Sequence, residues 1–472
     1  MCGIFGCIGR ADALDITLEG LQLQQYRGTD SAGVVLFQAG SDLISEGLRR
    51  IGTVDHLKGK IDLLSPRPRG SAAIGHTRYA TLGGNSICNI QPIVKKIGKT
   101  VAVAHNGDLE RVEINGCSYD IDQGRELLQE AAPFDSTSDT EIIIHLLAQN
   151  RNGSIISRIV KVLEKIQGAF SLLFLTDDGH LVAARDPWGF RPLWWGQDQD
   201  GKYFFSSEDF ALNQLGITPV RELNPGEIIV VAPDLTVSHH QLTSQQPSAC
   251  SFEFVYFAFP ASTLSGLSVA SMRRKFGHEL ARELVDSEKM PELDFLSPVP
   301  DSGNQCTIGM HEYLNEMGIR VPRRDAFYRS HYSRRSFIAG QADRKNVVDL
   351  KHIIDVPLVR GQKVGLVDDS IVRSTTIKRI IEKLRMAGAL QVHVFIPAPR
   401  IINTCPYGIS IKTKQELIAN RMTLDETRQE INADSLFHLS LDGYRRCFGS
   451  PQNFCMGCFT GIYPTQPITP VG

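Results

Sequence analysis

The chain has 472 residues, 42% hydrophobic and 22% charged, with a formal net charge of −2. Its length implies more than one domain, its composition an ordinary globular protein, and its balanced charge gives no electrostatic case for nucleic acid or an anionic membrane as partner. No apolar run reaches the about 18 residues of a membrane span, and the start MCGIFGCIGRADALD lacks the basic flank and apolar stretch of a secretion signal. Ten cysteines in so long a chain are not a disulfide framework; a cytoplasmic setting, where thiols serve metals or catalysis, is expected.

The first feature with chemical content is Cys2. Removal of Met1 would leave its thiol beside its own α-amino group, whose pKa of about 8 suits a general base near neutrality. The bland alternative is a buried strand thiol in CGIFGCIG, the role expected of Cys7. Strands and helices then alternate without repeats. GAFSLLFLT, HLVAARD and KYFFSSE read as strands by their apolar runs. The polar stretch His240–Cys250 marks a boundary, dividing the chain into residues 1–245 and 250–472.

Beyond the boundary, MRRKFGHELARELV reads as a helix and LDFLSPVPDSGNQ as a strand followed by a turn. A basic stretch, Arg323–Lys351, reads on its own as a solvated loop. In Lys363–Gly388, Val364, Leu366 and Val367 form a buried strand, and Ile377, Ile380, Ile381 and Leu384 mark one face of a helix that Gly388 ends. Between them lie Asp368, Asp369, Ser370, Arg373, Ser374, Thr375 and Thr376. A helix N-terminus with hydroxyls suits phosphate, and paired acids suit sugar hydroxyls or a shared Mg²⁺. The stretch therefore predicts a site for a phosphorylated sugar; a capped strand–helix turn is the plain alternative. Cys455 and Cys458 form a Cys-x-x-Cys open to zinc, redox or no function.

Several of these segments carry a family resemblance. MCGIFG, Tyr26–Gly33, Gly75–Gly84, Ala104–Leu109, Ser136–Ile143 and Ala184–Leu193 resemble, in order, the class II glutamine amidotransferase domain. LVDDSIVRSTT and VPDSG resemble the phosphoribosyl pyrophosphate (PRPP) site of type I phosphoribosyltransferases. Together they resemble the amidophosphoribosyltransferases over essentially the whole chain. The resemblance implies an α/β and α+β protein of two domains: an N-terminal nucleophile hydrolase αββα sandwich, then a Rossmann-like parallel sheet. It implies Cys2 as nucleophile, with the Asn106 side chain and Gly107 N–H as oxyanion hole. Arg78 and Asp139 would take the α-carboxylate and α-amino group of glutamine, Thr81 would line the pocket, and Arg27 would lie in the loop that closes over it. Asp368, Asp369, Ser370, Arg373, Ser374, Thr375, Thr376, Arg335 and Arg344 would bind PRPP, with Ser302, Asp368 and Asp369 on Mg²⁺. Cys250, Cys405, Cys455 and Cys458 fall on the ligands of a [4Fe–4S] cluster in one branch of the family, with zinc the second choice. Purine nucleotide inhibitors and a homotetramer or homodimer are also implied.

The chain departs from the family at three places. Asp108 stands where Asn is usual, and is expected to lie clear of the substrate. Ser374 replaces a glycine that would allow positive φ. The segment Ser330–Arg344 is altered and shorter. Cys7, Cys88, Cys117, Cys306 and Cys447 match no ligand position and are expected to be buried thiols. The expected reaction is glutamine hydrolysis with transfer of ammonia to C1 of PRPP. Its competitors are amination of a different phosphorylated sugar, a glutaminase with an inactive second domain, and a cluster-bearing sensor.

Overall fold

The computed structural model describes residues 2–79, 86–149, 152–243, 245–329, 352–409, 411 and 413–465. The first half is built on two sheets. One runs in the order β12 (Thr218–Glu222), β10 (Trp194–Gln197), β11 (Tyr203–Ser206), β1 (Gly3–Ile8), β4 (Ala72–Arg78), β2 (Ser31–Phe37), β3 (Arg49–Ile51). The other runs β14 (Val237–Gln241), β13 (Glu227–Val231), β9 (Leu181–Arg185), β8 (Ile166–Thr176), β6 (Lys99–Ile114), β5 (Ile93–Ile97), with β7 (Cys117–Asp120) paired to β6.

The apolar run GAFSLLFLT shows why the sheets stack. Side chains alternate along a strand. Phe170, Leu172 and Phe174 of β8 face Ile142 and Ile143 of α2 (Thr140–Gln149) and Ile159 of α3 (Ile155–Leu163). Leu173 and Leu175 face Ile4, Val35 and Ile74 of the first sheet. Both faces of β8 are therefore buried, and the strand reads as a continuous apolar run. Each such side chain contributes about 1.5–3 kcal/mol on burial. On the far side of the first sheet, Phe5, Leu36 and Phe204 pack against Leu14, Leu18 and Leu21 of α1 (Ala13–Leu23). The layers are helix, sheet, sheet, helix, as expected.

The second half carries a parallel sheet in the order β16 (Phe295–Pro298), β17 (Lys363–Val367), β18 (Gln391–Ile396), β19 (Ser435–His438). Helices α4 (Val269–Asp286), α5 (Asn304–Glu316) and α6 (Thr375–Met386) share its core. On α6, Ile377, Ile380, Ile381 and Leu384 are all buried, and Gly388 adopts φ +90° just past the end. That conformation is left-handed and favours glycine. A two-residue pair, β15 (Ala249–Cys250) with β20 (Phe454–Cys455), runs parallel and ties the start of this half to its end. The two halves have separate cores, and Ala169, Phe190 and Tyr407 form a small cluster between them.

Candidate active sites

Cys2 stands just ahead of β1 and is partly exposed, so it is not the buried strand thiol of the bland reading. Its Sγ lies 4.0 Å from Tyr79 O, and its carbonyl accepts from Arg27 Nε at 2.9 Å. On β6, Asn106 is fully buried, yet neither its amide nitrogen nor its oxygen has a hydrogen-bond partner. A buried amide left unpaired costs roughly 1–3 kcal/mol, so this one is poised for a ligand. Gly107 follows at φ +151°, and a Cβ there would lie 1.9 Å from Ala169 O; only glycine fits.

Asp139 precedes α2. Its Oδ2 accepts from Leu109 N and its Oδ1 from Thr140 N, both at 2.9 Å. Those backbone donors fix it beside the Asn106–Gly107 strand. Arg78, the last residue of β4, is also buried. Thr81 lies outside the described residues.

Arg27 is committed elsewhere than to an open loop. Its guanidinium is fully buried and pairs with Glu208 and, at 3.0 Å, with Glu253. Arg191, equally buried, pairs with Glu253 at 3.2 Å and donates Nε to Tyr407 O at 2.9 Å. Glu253 belongs to a π-helical turn, Glu253–Phe257, in the second half. Two arginines and two glutamates thus balance across the junction of the halves, and Arg27 hands this order to the Cys2 carbonyl. The sequence signal for Glu253 was a lone acid within the apolar run FEFVYF.

In the second half, strands β16 and β17 end side by side, at Pro298 and Val367. Asp368 and Asp369 follow β17 and are nearly buried. Burial, then the charge of Asp369, pushes the Asp368 carboxyl well above the usual range. Ser302 Oγ donates to Asp368 at 3.1 Å and Ser370 Oγ to Asp369 at 2.7 Å. Oxygen donors gathered around uncompensated acids have the chemistry of a hard-cation site. Arg373 is exposed and paired with Glu416. Ser374, Thr375 and Thr376 sit at the start of α6. Arg335 and Arg344 lie outside the described residues.

Tyr256 links the two sites. Its hydroxyl is pushed up to about 12 by surrounding protein, then by Asp369, Tyr79 and Asp368. The charges of the acidic pair and the Tyr79 hydroxyl thus both reach Tyr256.

Cys250, Cys405, Cys455 and Cys458 converge at the β15–β20 pair. Burial raises all four thiols, and Cys458 is raised further by the other three. Tyr407 N donates to Cys405 Sγ at 3.4 Å, and the Arg191 charge faces Cys250 and Cys405. Among the described residues, no group of three or more His, Cys, Asp or Glu side chains is spaced to hold a single metal ion.

Comparison with known proteins bears on both sites. The glutamine amidotransferase domain family matches residues 76–214. The chloroplastic amidophosphoribosyltransferase of Vigna aconitifolia is 39% identical over 470 residues, covering 99% of this chain and 92% of that protein. The chain belongs to the amidophosphoribosyltransferase family. The Bacillus subtilis amidophosphoribosyltransferase is 36% identical over 480 residues, covering 98% of this chain and 94% of that protein. A solved structure of glutamine PRPP amidotransferase from B. subtilis, complexed with ADP and GMP, superposes with a TM-score of 0.85 at 34% identity, over 98% of each chain.

Two expectations, about Asp108 and about the cysteines outside the cluster positions, need correction. Asp108 does not lie clear of the site: it is half-buried, and its carboxyl is pushed up to about 8 by burial, then by the charges of Asp139 and Cys2. Ser374 adopts φ −66°, ψ −17°, an ordinary helical conformation, in keeping with a residue that narrows the backbone to negative φ. Cys88 and Cys117 are exposed, whereas Cys7, Cys306 and Cys447 are buried. The altered segment Ser330–Arg344 lies outside the described residues.

Proposed function

We propose that residues 1–245 hydrolyse glutamine and residues 250–472 use the ammonia to displace pyrophosphate from PRPP, giving 5-phosphoribosylamine. The activity is that of a glutamine-dependent amidophosphoribosyltransferase, the opening step of purine synthesis. The observation that supports the two-site reading is Arg27, which donates to the Cys2 carbonyl and pairs with Glu253 of the second half.

After removal of Met1, the Cys2 thiol gives its proton to its own α-amino group and attacks the side-chain carbonyl of glutamine. The negative oxygen of the tetrahedral intermediate takes hydrogen bonds from Asn106 Nδ2 and Gly107 N–H, a role that the unpaired Asn106 amide supports. The intermediate collapses, the α-ammonium returns the proton to the leaving nitrogen, and ammonia departs. Water then cleaves the thioester to release glutamate. Arg78 holds the substrate carboxylate, Asp139 its ammonium, and Thr81 lines the pocket. Arg27 acts from behind, through the Cys2 carbonyl.

At the second site, the N–H groups opening α6 hold phosphate with Ser370, Arg373, Ser374, Thr375 and Thr376, helped by Arg335 and Arg344. Ser302, Asp368 and Asp369 would hold Mg²⁺. Bound there, Mg²⁺ would offset the charge that pyrophosphate gains on leaving. Ammonia attacks C1 of the ribose as the bond to pyrophosphate breaks. A route closed to water is needed because ammonia in open water is protonated near neutrality and loses its nucleophilic lone pair.

The four converging cysteines suit a [4Fe–4S] cluster, which would tie residues 250, 405, 455 and 458 together. Zinc fits less well, since it needs several thiols around one ion. Purine nucleotide ligands are proposed by analogy with the B. subtilis complex, and a homo-oligomer by family likeness. No described helix is long and apolar enough to cross a membrane; cytoplasmic location is proposed from the ten cysteines, none paired in a disulfide.

Cys2→Ala tests the division of labour. It should abolish pyrophosphate release with glutamine but leave release with ammonium salts near the native rate. Loss of both, in a folded variant, would refute the separation.

A further inference from the structure

Asp108 is a titratable group near Cys2 that the mechanism above leaves unused. Its position follows from strand geometry. On β6, Val101, Val103 and Leu109 face the helical layer, while Ala102 and Ala104 face the opposing sheet. The pairing of β6 with β8 runs unbroken from Val101 to Leu109. Asn106 and Asp108 therefore continue the series of Ala102 and Ala104 on the inner face. The next residue, Leu109, donates its N–H to Asp139 at 2.9 Å, so the two carboxylates are neighbours. From the second half, Gly408 closes over this point: a Cβ there would lie 3.4 Å from Asp108 N and 3.3 Å from Arg191 Nη2. Among the described residues, no hydrogen bond or ion pair is made by the Asp108 carboxyl.

We propose that Asp108 is a further residue of the glutaminase site, whose carboxyl must stay protonated for glutamine to be cleaved. The inference rests on the glutaminase reading above. The groups facing Asp108 are Asp139, Cys2, Arg191 and the α-amino end of the chain. Asp139 and a Cys2 thiolate are negative; Arg191 is held by Glu253 and Tyr407 O. A neutral acid in this place leaves the oxyanion at Asn106–Gly107 undisturbed. An ionised one sets a second negative charge beside both the thiolate and the oxyanion, opposing each. Burial and those two negative neighbours move the ionisation to about 8, so the neutral form prevails at pH 7 and the charged form at pH 9. An asparagine there, as in the family pattern, would lack this transition.

The experiment is the pH profile of glutamate release, kcat/KM for glutamine from pH 6 to 10, for the native chain and Asp108→Asn. Ammonium-dependent pyrophosphate release is measured alongside to show that the variant is folded. The native chain should lose glutaminase activity about ten-fold between pH 7 and pH 9, as the protonated fraction falls. The Asp108→Asn variant should keep its activity across that range, limited at low pH by the Cys2 amine. Superimposable profiles would overturn the inference. No glutamate release from the native chain at any pH would overturn the glutaminase reading itself, and this inference with it.

Discussion

Replacing Glu253 by Gln should cost far more than the loss of a neutral hydrogen bond. Glu253 is 1% exposed and serves both Arg27 and Arg191, each of them fully buried on its side chain. With Glu208, the cluster holds two positive and two negative groups out of water. Glutamine at 253 keeps the shape but leaves one guanidinium without a counter-charge. Removing one member of a buried pair costs about 3–5 kcal/mol, because the remaining charge is stranded. Adding Arg191→Met restores neutrality, with Arg27 and Glu208 left as a pair. The double variant should then be less destabilised than the sum of the two singles, by about 1–3 kcal/mol. Urea unfolding followed by tryptophan fluorescence measures this, since all three tryptophans, 188, 194 and 195, lie in the first half. Because Arg27 also holds the Cys2 carbonyl, the single variant should lose glutaminase activity before it unfolds. A cost under about 1 kcal/mol for Glu253→Gln, or additivity within about 0.5 kcal/mol, would refute the charge-balance argument.

Asn106→Ala should lower kcat for glutamine about 10²–10³-fold, the usual loss for one oxyanion donor, with the ammonium-dependent reaction unchanged; steady-state kinetics on both nitrogen sources checks it. Glu141 should be an acid-labile support of the first half. Burial alone would raise its carboxyl, but hydrogen bonds from His145, Lys95, Ser136 and Asp135 N overcome this and hold it well below its ordinary 4.5. A depressed carboxyl contributes stability above its unfolded pKa and loses it as pH falls through the folded one. Glu141→Gln should therefore destabilise strongly at pH 7, with the difference from the native chain shrinking below about pH 4.5 in urea titrations. Ser374→Gly should cost only a few tenths of a kcal/mol in stability, since Ser374 makes no capping bond, but should raise the KM for PRPP several-fold as its hydroxyl is lost from the phosphate site; urea unfolding and steady-state kinetics check the two.

Much of this molecule was legible in its residues, for reasons that also explain the misses. The buried strand Lys363–Val367 and the apolar stripe of the following helix follow directly from period and composition. Ordered motifs pointed to Cys2, Arg78 and Asn106, which lie at or on β1, β4 and β6, and to Asp139, which precedes α2 and is bonded to β6. Tyr256 and Glu253 were not singled out, because an aromatic or an acid in FEFVYFAF acquires meaning only when the second half is folded against the first. Asp108 was misplaced although the clue was present: two residues from Asn106 on one strand means the same face. The exposure of Cys88 and Cys117 follows from their places ahead of β5 and on the short strand β7, where a small thiol has no core to join.

The central claim is that two sites act as one enzyme, with ammonia passing between them. The direct measurement is the ratio of glutamate to pyrophosphate formed with glutamine, PRPP and Mg²⁺ at neutral pH. Coupled sites predict one glutamate per pyrophosphate, and glutamate formation stimulated by PRPP. Steady glutamate release with no pyrophosphate, or at a rate indifferent to PRPP, would contradict the account.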